Sequence, residues 1–341
     1  MKCVYAQEIR KISILEIDKP DVTATQVLIR VSFAGVCGSD LHAYRGVHAF
    51  RKPPVMLGHE LSGVIEKVGS GVTRFKPGDA VTVMPQTGCG TCRSCLSGKV
   101  NLCRDKTLPG TPGWQGAFAE YFIAPESVVC ALGEVSLKLG ALCEPLAVAS
   151  HVLSRFPREH GSDLAILGAG AIGLMMVILA PYHGFSNVTV TDVVDSNLRM
   201  AKTLGAKRAV NAAGEDPVRE IKAYYGATGV ENLVIAASAK NILAQALESV
   251  SCGGNIVYMA MITGEMTLNT YPIVFKEVNI KGSLNYTMRD FDDALAHLLR
   301  EPEKFEKLIT HVMPMSEAAK AFERLDTHSE DAVKILLENR F

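Results

Sequence analysis

The chain lacks what would send it to a membrane or a nucleic acid. Its most apolar stretches, Asp163–Leu167 and Leu174–Ala180, are short and bounded by glycine; neither approaches the ~20 apolar residues of a spanning helix. Met1 to Arg10 has no apolar core of the kind that marks a secretory leader. Lys and Arg number 35 against 36 Asp and Glu, a net charge of -1, with no basic stripe and no charged tail. Nucleic acid and membrane are therefore not expected partners. Tryptophan occurs once, at Trp114. There are nine cysteines, but no disulfide framework is legible in them. Cys3, Cys130, Cys143 and Cys252 stand singly and read as small buried hydrophobes. This usage fits a reducing, cytoplasmic setting.

What is present is enough for two domains: 341 residues, 48% of them apolar. Residues 1–150 read as short strands between Gly and Pro turns, such as 27–33, 63–65 and 80–83. Residues 151–280 alternate strand and helix, with strands at 164–167, 188–191, 208–211, 233–236 and 255–259 and helices at 171–180, 196–204, 217–225 and 241–250. That alternation predicts an α/β fold with a doubly wound parallel sheet beside a β-rich lobe. Residues 281–341 are too few for a domain and are expected to return to the first lobe.

The remaining five cysteines sit in metal-like contexts. Cys89, Cys92, Cys95 and Cys103, within a lobe at about 86–106, are spaced x2, x2 and x7. Four thiolates at such spacings close a tetrahedral zinc site with no open position, which is a structural site. Cys37, His59, Glu60 and Glu144 form a second donor set. Thiolate, imidazole and carboxylate suit a zinc that keeps one position for water or substrate. Such an ion acts as a Lewis acid on an alcohol oxygen and lowers its pKa, so that the neighbouring carbon can give hydride to a nicotinamide. Ser39 and His42, close to Cys37, are candidates to pass the alcohol proton to solvent. Arg45, Arg51 and Lys52 read as solvated loop charges.

The run Gly168-Ala169-Gly170-Ala171-Ile172-Gly173 follows a predicted strand and opens a predicted helix, the context a dinucleotide fingerprint requires. Gly168 serves the tight turn, Gly170 the approach of the pyrophosphate to the backbone and Gly173 the packing of helix on strand. Asp192 ends the next strand, 19 residues beyond Gly173. A carboxylate there accepts ribose hydroxyls and repels a 2′-phosphate, so NAD is expected rather than NADP.

The segment Gly58-His59-Glu60-x2-Gly63-x5-Gly69-x2-Val72 resembles the zinc-containing alcohol dehydrogenase signature without a gap. The chain is similar to medium-chain dehydrogenases over nearly its whole length. Glu144-Pro145-Leu146-Ala147-Val148-Ala149 resembles the polyol branch: sorbitol, butanediol and sugar-alcohol dehydrogenases. The resemblance implies a GroES-like catalytic lobe split around a Rossmann domain, and a cleft between them that holds the catalytic zinc. It also implies two zinc ions per subunit, a polyol or sugar substrate and a homodimer or homotetramer built on the edge of the Rossmann sheet, near residues 277–284. Carried over by position, Cys37, His59 and either Glu60 or Glu144 bind the catalytic zinc. Two positions depart from the pattern. Asn197 stands where many NAD-dependent relatives place an Arg that covers the adenine, and Ser283-Leu284-Asn285-Tyr286 replaces the Arg-Tyr of sorbitol dehydrogenases. Sorbitol itself is thus not the assumed substrate. Specificity is expected from 41–54, Trp114 and Asn285-Tyr286. The rival readings are a threonine-type amino-alcohol or butanediol dehydrogenase and, more remotely, a non-catalytic NAD- or zinc-binding protein. The intact donor set argues against the latter.

Overall fold

A computed structural model describes residues 1–159, 161–262, 265–327 and 331–341. The chain forms two units, residues 1–147 with 287–341, and residues 148–286.

The first unit is built on two sheets. Lys2–Glu8 lies between Lys11–Glu16 and Val55–Met56 in a small antiparallel sheet. The larger sheet runs, in order, Ile309–Pro314, Lys334–Glu338, Gln26–Gly35, Glu60–Val68, Ala80–Val83 and Val129–Ala131, with Tyr121–Pro125 also paired to Gln26–Gly35. Its pairs are antiparallel except Ile309–Pro314 with Lys334–Glu338. The carboxy-terminal segment thus completes the sheet by placing Lys334–Glu338 beside Gln26–Gly35. Val27, Leu28, Ile29, Val31, Leu61, Ile65, Val81 and Val83 bury the interior of this unit. Their removal from water, at roughly 1.5–3 kcal/mol each, is the main force holding the strands.

The second unit is a six-stranded sheet, wholly parallel, in the order Arg208–Asn211, Asn187–Asp192, Asp163–Leu167, Val230–Ile235, Val250–Tyr258, Asn279–Gly282. Numbered along the chain this is 3-2-1-4-5-6, the doubly wound order that places a dinucleotide at the switch point between the first and fourth strands. The central strands are near-continuous apolar runs because helices cover both faces; Leu164, Ile166, Val190, Leu233, Val234 and Ile256 are all buried. The helix Ala171–Leu179 stops where Pro181 cannot donate, and a 3₁₀ turn, Ala180–His183, follows. Among the described residues, no helix is long and apolar enough to cross a membrane.

Candidate active site

In the first unit, ligand atoms of Cys37, His59 and Glu60 lie within 4.8 Å of one another. The larger sheet brings them together. Cys37 follows the Gln26–Gly35 strand, and Glu60 begins the strand paired to it, with Gly35 opposite Glu60.

Asp40, which the sequence reading did not single out, holds this arrangement. Cys37 caps the helix Gly38–Tyr44, and its backbone N–H donates to Asp40 Oδ2 at 3.1 Å, half of a capping box. Asp40 Oδ1 accepts from Gly58 N at 3.3 Å and stands 3.5 Å from His59 Nδ1. One fully buried carboxylate therefore fixes the backbone of one donor and the ring of another. A carboxylate behind the histidine orients the other ring nitrogen toward a metal. Burial opposes a charge on His59, but Asp40 and Cys37 carry its pKa well above the ordinary imidazole range. Burial likewise opposes the charge on Asp40, and His59 keeps its pKa low. An imidazole, a thiol and a carboxylate with ligand atoms within 4.8 Å of one another fit a divalent cation of zinc's chemistry.

Glu144 is buried in the first turn of the helix Cys143–Ser154. It is not among the three residues gathered within 4.8 Å, although its charge is felt at Lys334. Ser39 Oγ accepts from Arg51 Nη1 at 3.4 Å. His42 is half-buried, and burial together with Arg45 lowers its pKa, so it is neutral and able to take up a proton.

Two of the three loop cations are not the solvated charges expected. Arg51 is 5% exposed, with Nε donating to Pro109 O at 3.0 Å. Arg45 pairs with Asp326, at the end of the helix Ala318–Thr327. The partners that draw them in, Pro109 and Asp326, are distant in the chain and leave no local signature; within the loop, His48 Nδ1 accepts the backbone N–H of both Phe50 (3.3 Å) and Arg51 (3.0 Å). Burial, with Arg51 nearby, drives the His48 pKa down to about 4. The unfolded chain binds this proton near pH 6.5, so His48 contributes stability that is complete above pH 6.5 and falls as pH drops toward 4. In acid titrations of unfolding, His48→Gln is expected to have a flatter profile than the parent between pH 6.5 and 4. Parallel profiles would mean that folded His48 takes up its proton as readily as the unfolded chain does.

Trp114 has a packing role. It is buried, stacks on Phe122 at 5.8 Å and donates Nε1–H to Ile123 O at 2.8 Å. The cavity it lines, of about 950 Å³, includes Phe50, Thr111 and Tyr121 but none of the metal-site residues. Asn285 has φ +48, a left-handed conformation that Asn tolerates better than Arg. Tyr286 is buried beside it in sequence.

The four thiols Cys89, Cys92, Cys95 and Cys103 are likewise within 4.8 Å of one another. Cys92 caps the short helix Arg93–Leu96 and accepts from Cys95 N at 3.5 Å, while Cys103 Sγ accepts from Cys89 N at 3.4 Å. Backbone amides of Thr91 and Cys92 draw the Cys89 thiol down to about 6. Cys95 has a backbone N–H from Gly90, yet burial and the neighbouring thiols push it up to about 12. Four thiolates cannot share this space without a cation, and a divalent metal deprotonates them outright.

In the second unit the Asp163–Leu167 strand ends in Gly168 at φ +120, and Gly170 caps the helix Ala171–Leu179. A Cβ on Gly173 would strike Gly168 O, whereas one on Gly170 would meet nothing. The first glycine packs helix on strand, and the second leaves open ground over the helix N-terminus, where phosphates bind. Ala171 and Ile172 form the first turn of that helix. Asp192 Oδ2 accepts from Ala169 N at 2.6 Å, and Oδ1 from Val193 N and Val194 N at 2.8 and 2.9 Å. The carboxylate is thus fixed against the glycine turn. Asn197 is half-buried on the helix Asp195–Leu204.

Residues 23–134 match the alcohol dehydrogenase GroES-like domain, and residues 171–300 match the zinc-binding dehydrogenase domain. Sorbitol dehydrogenase of Bacillus subtilis is 33% identical over 99% of this chain and 97% of its own. The chain belongs to the zinc-containing medium-chain alcohol dehydrogenase family. D-xylulose reductase A of Aspergillus niger is 34% identical over 88% of this chain and 86% of its own. An alcohol dehydrogenase of Escherichia coli CFT073, crystallised with NADH, superposes with a TM-score of 0.90 at 31% identity, covering 99% of each chain. The Cys37, His59 and Glu60 cluster and the four-cysteine cluster lie within the first match, and the glycine turn lies at the start of the second.

Proposed function

We propose that the protein transfers a hydride from a secondary alcohol of a polyol or related sugar to NAD, using one catalytic and one structural zinc per subunit. The observation that carries this reading is the cluster of Cys37, His59 and Glu60, buttressed by Asp40, in a chain that also holds an open glycine turn with a fixed carboxylate at Asp192. Relatives named for sorbitol and xylulose chemistry support the polyol class.

Cys37 and His59, with Glu144 or Glu60, would hold the catalytic ion. Cys89, Cys92, Cys95 and Cys103 would hold the structural one. When bound, the catalytic ion supplies Lewis acidity at the alcohol oxygen. Ser39 would accept the alcohol proton, and His42, kept neutral by burial and Arg45, would carry it onward. Arg51, which donates to Ser39 Oγ, would orient that hydroxyl so that it accepts the alcohol proton as its own proton passes on. The N-terminus of the helix Ala171–Leu179 binds the pyrophosphate, and Asp192 accepts the adenosine ribose hydroxyls. Because hydrogen bonds to a charged group contribute about 1.5–3 kcal/mol, Asp192→Ala is expected to weaken NAD by roughly 10- to 100-fold, with NADP little affected. Equal losses for the two in a fluorescence titration would remove Asp192 from the ribose.

The edge strand Asn279–Gly282 has exposed Tyr271, Val274, Phe275, Ile280 and Leu284 around it. We place the interface of a homodimer or homotetramer there, checked by light scattering of Ile280→Lys. Nine free thiols support a cytoplasmic setting, checked by cell fractionation.

The deciding experiment is NADH formation at 340 nm with zinc-analysed protein over linear polyols, their phosphates, inositols, sugar acids, butanediol and threonine. A strong polyol or sugar response with about two zinc per subunit supports the reading. Threonine as the best substrate would replace it with the amino-alcohol alternative, and silence at full zinc occupancy would favour a binding protein.

A further inference from the structure

Lys334 is buried at 2% exposure and Glu60 at 0%. Lys334 Nζ donates to both carboxylate oxygens of Glu60, at 2.9 and 2.8 Å, and to Val36 O at 3.2 Å. Three adjacent strands explain the meeting. Gly35 is opposite Glu60 on one side and Leu336 on the other. Lys334 lies two residues before Leu336, on the same face of its strand. Lys334 and Glu60 therefore face each other across the strand of Gly35. A Cβ on Gly35 would collide with Glu60 Oε2. The absent side chain makes the space, and the lysine supplies the charge that fills it.

We infer that Gly35 and Lys334 form a holding site that keeps the Glu60 carboxylate off the catalytic metal, leaving Glu144 as the carboxylate ligand. Lys334 is thus a positioning residue: it acts on the metal through Glu60. An anionic Glu60 stands close enough to Cys37 and His59 to join them, and as an added ligand it would occupy the coordination position that substrate needs. Both of its oxygens are instead spent on a buried ammonium. Loss of Lys334 would leave a buried carboxylate without its ammonium, beside the Cys37 and His59 donors that would hold the metal. This inference rests on the proposed zinc site.

The test is cobalt(II) at the Cys37 site, read as the visible difference spectrum against Cys37→Ser and as a dissociation constant by chelator competition. A parent protein with no such difference spectrum would refute the zinc site itself, and the inference with it. With a parent spectrum in hand, Lys334→Met is expected to hold cobalt at least about tenfold more tightly, the size of effect seen when a partner of a ligand is changed. Its bands should shift and no longer respond to added imidazole. Lys334→Arg should retain the parent spectrum, and Glu60→Gln in the Lys334→Met background should restore it. Gly35→Ala tests the same site without removing a charge and should shift the bands in the direction of Lys334→Met, which keeps the inference testable if Lys334→Met does not fold. Unmoved bands in Gly35→Ala and in folded Lys334→Met would overturn it. Tighter cobalt binding with unmoved bands would be a pure charge effect and would overturn it equally.

Discussion

Cys37→Ser and Glu144→Ala are each expected to lower kcat/KM by about 10³-fold or more, while the protein stays folded. A Lewis acid contributes several kcal/mol to the developing charge in such a reaction, and each 1.36 kcal/mol is a factor of ten. Neither change should unfold the chain. Cys37 caps its helix through the backbone N–H that Asp40 accepts, and serine leaves that bond in place. Glu144 opens a helix whose following residues, Leu146, Ala147 and Ala149, supply the buried surface. Zinc content should fall from about two to about one per subunit, with an unchanged circular dichroism spectrum. Full activity in Glu144→Ala together with its loss in Glu60→Gln would reverse the roles given to the two carboxylates.

Cys95→Ser should do the opposite. It should leave the chemistry of each folded molecule largely intact and remove stability. The segment from Cys89 to Cys103 has little else to hold it: its helix Arg93–Leu96 is four residues long, and Leu96 and Leu102 point their apolar surface to solvent. Binding of metal by such a lobe is its folding free energy. A loss on the order of 5 kcal/mol lowers a melting temperature by roughly 7 °C in a protein of this size. The measurement is calorimetry with and without a chelator. A Cys95→Ser protein that melts with the parent, beside a Cys37→Ser protein that does not fold, would exchange the two sites.

The sequence disclosed those features whose partners are near in the chain. The four-cysteine run, the glycine turn after an apolar strand and the His59-Glu60 pair each carry their own context. Features made by distant contacts were not legible. Lys334 is 274 residues from Glu60, and in the sequence it is one more lysine at the start of a strand. Asp40 could have been suspected, because an acid three residues after a helix cap is a known signature, but its second contact, with His59, is tertiary. Arg51 looked solvated because the carbonyl that takes its guanidinium, Pro109 O, is 58 residues away. The start of the strand at Val250 was missed because Gly253 and Gly254 interrupt its pattern. The passage from one unit to the other falls between residues 147 and 148, inside the helix Cys143–Ser154, where no linker composition marks it.

Gly35 and Gly88 have no backbone reason to be glycine, since neither has a positive φ. What excludes a side chain at each is another residue's functional atom: Glu60 Oε2 against Gly35, and Cys95 Sγ against Gly88. Descent with modification is therefore constrained in pairs. A lineage that gave up the cysteine at 95 would be released to vary at 88, and one that shortened the acid at 60 would be released at 35. While the partner persists, even alanine is a costly step at either position, so the two glycines should be lost only after the atoms they make room for.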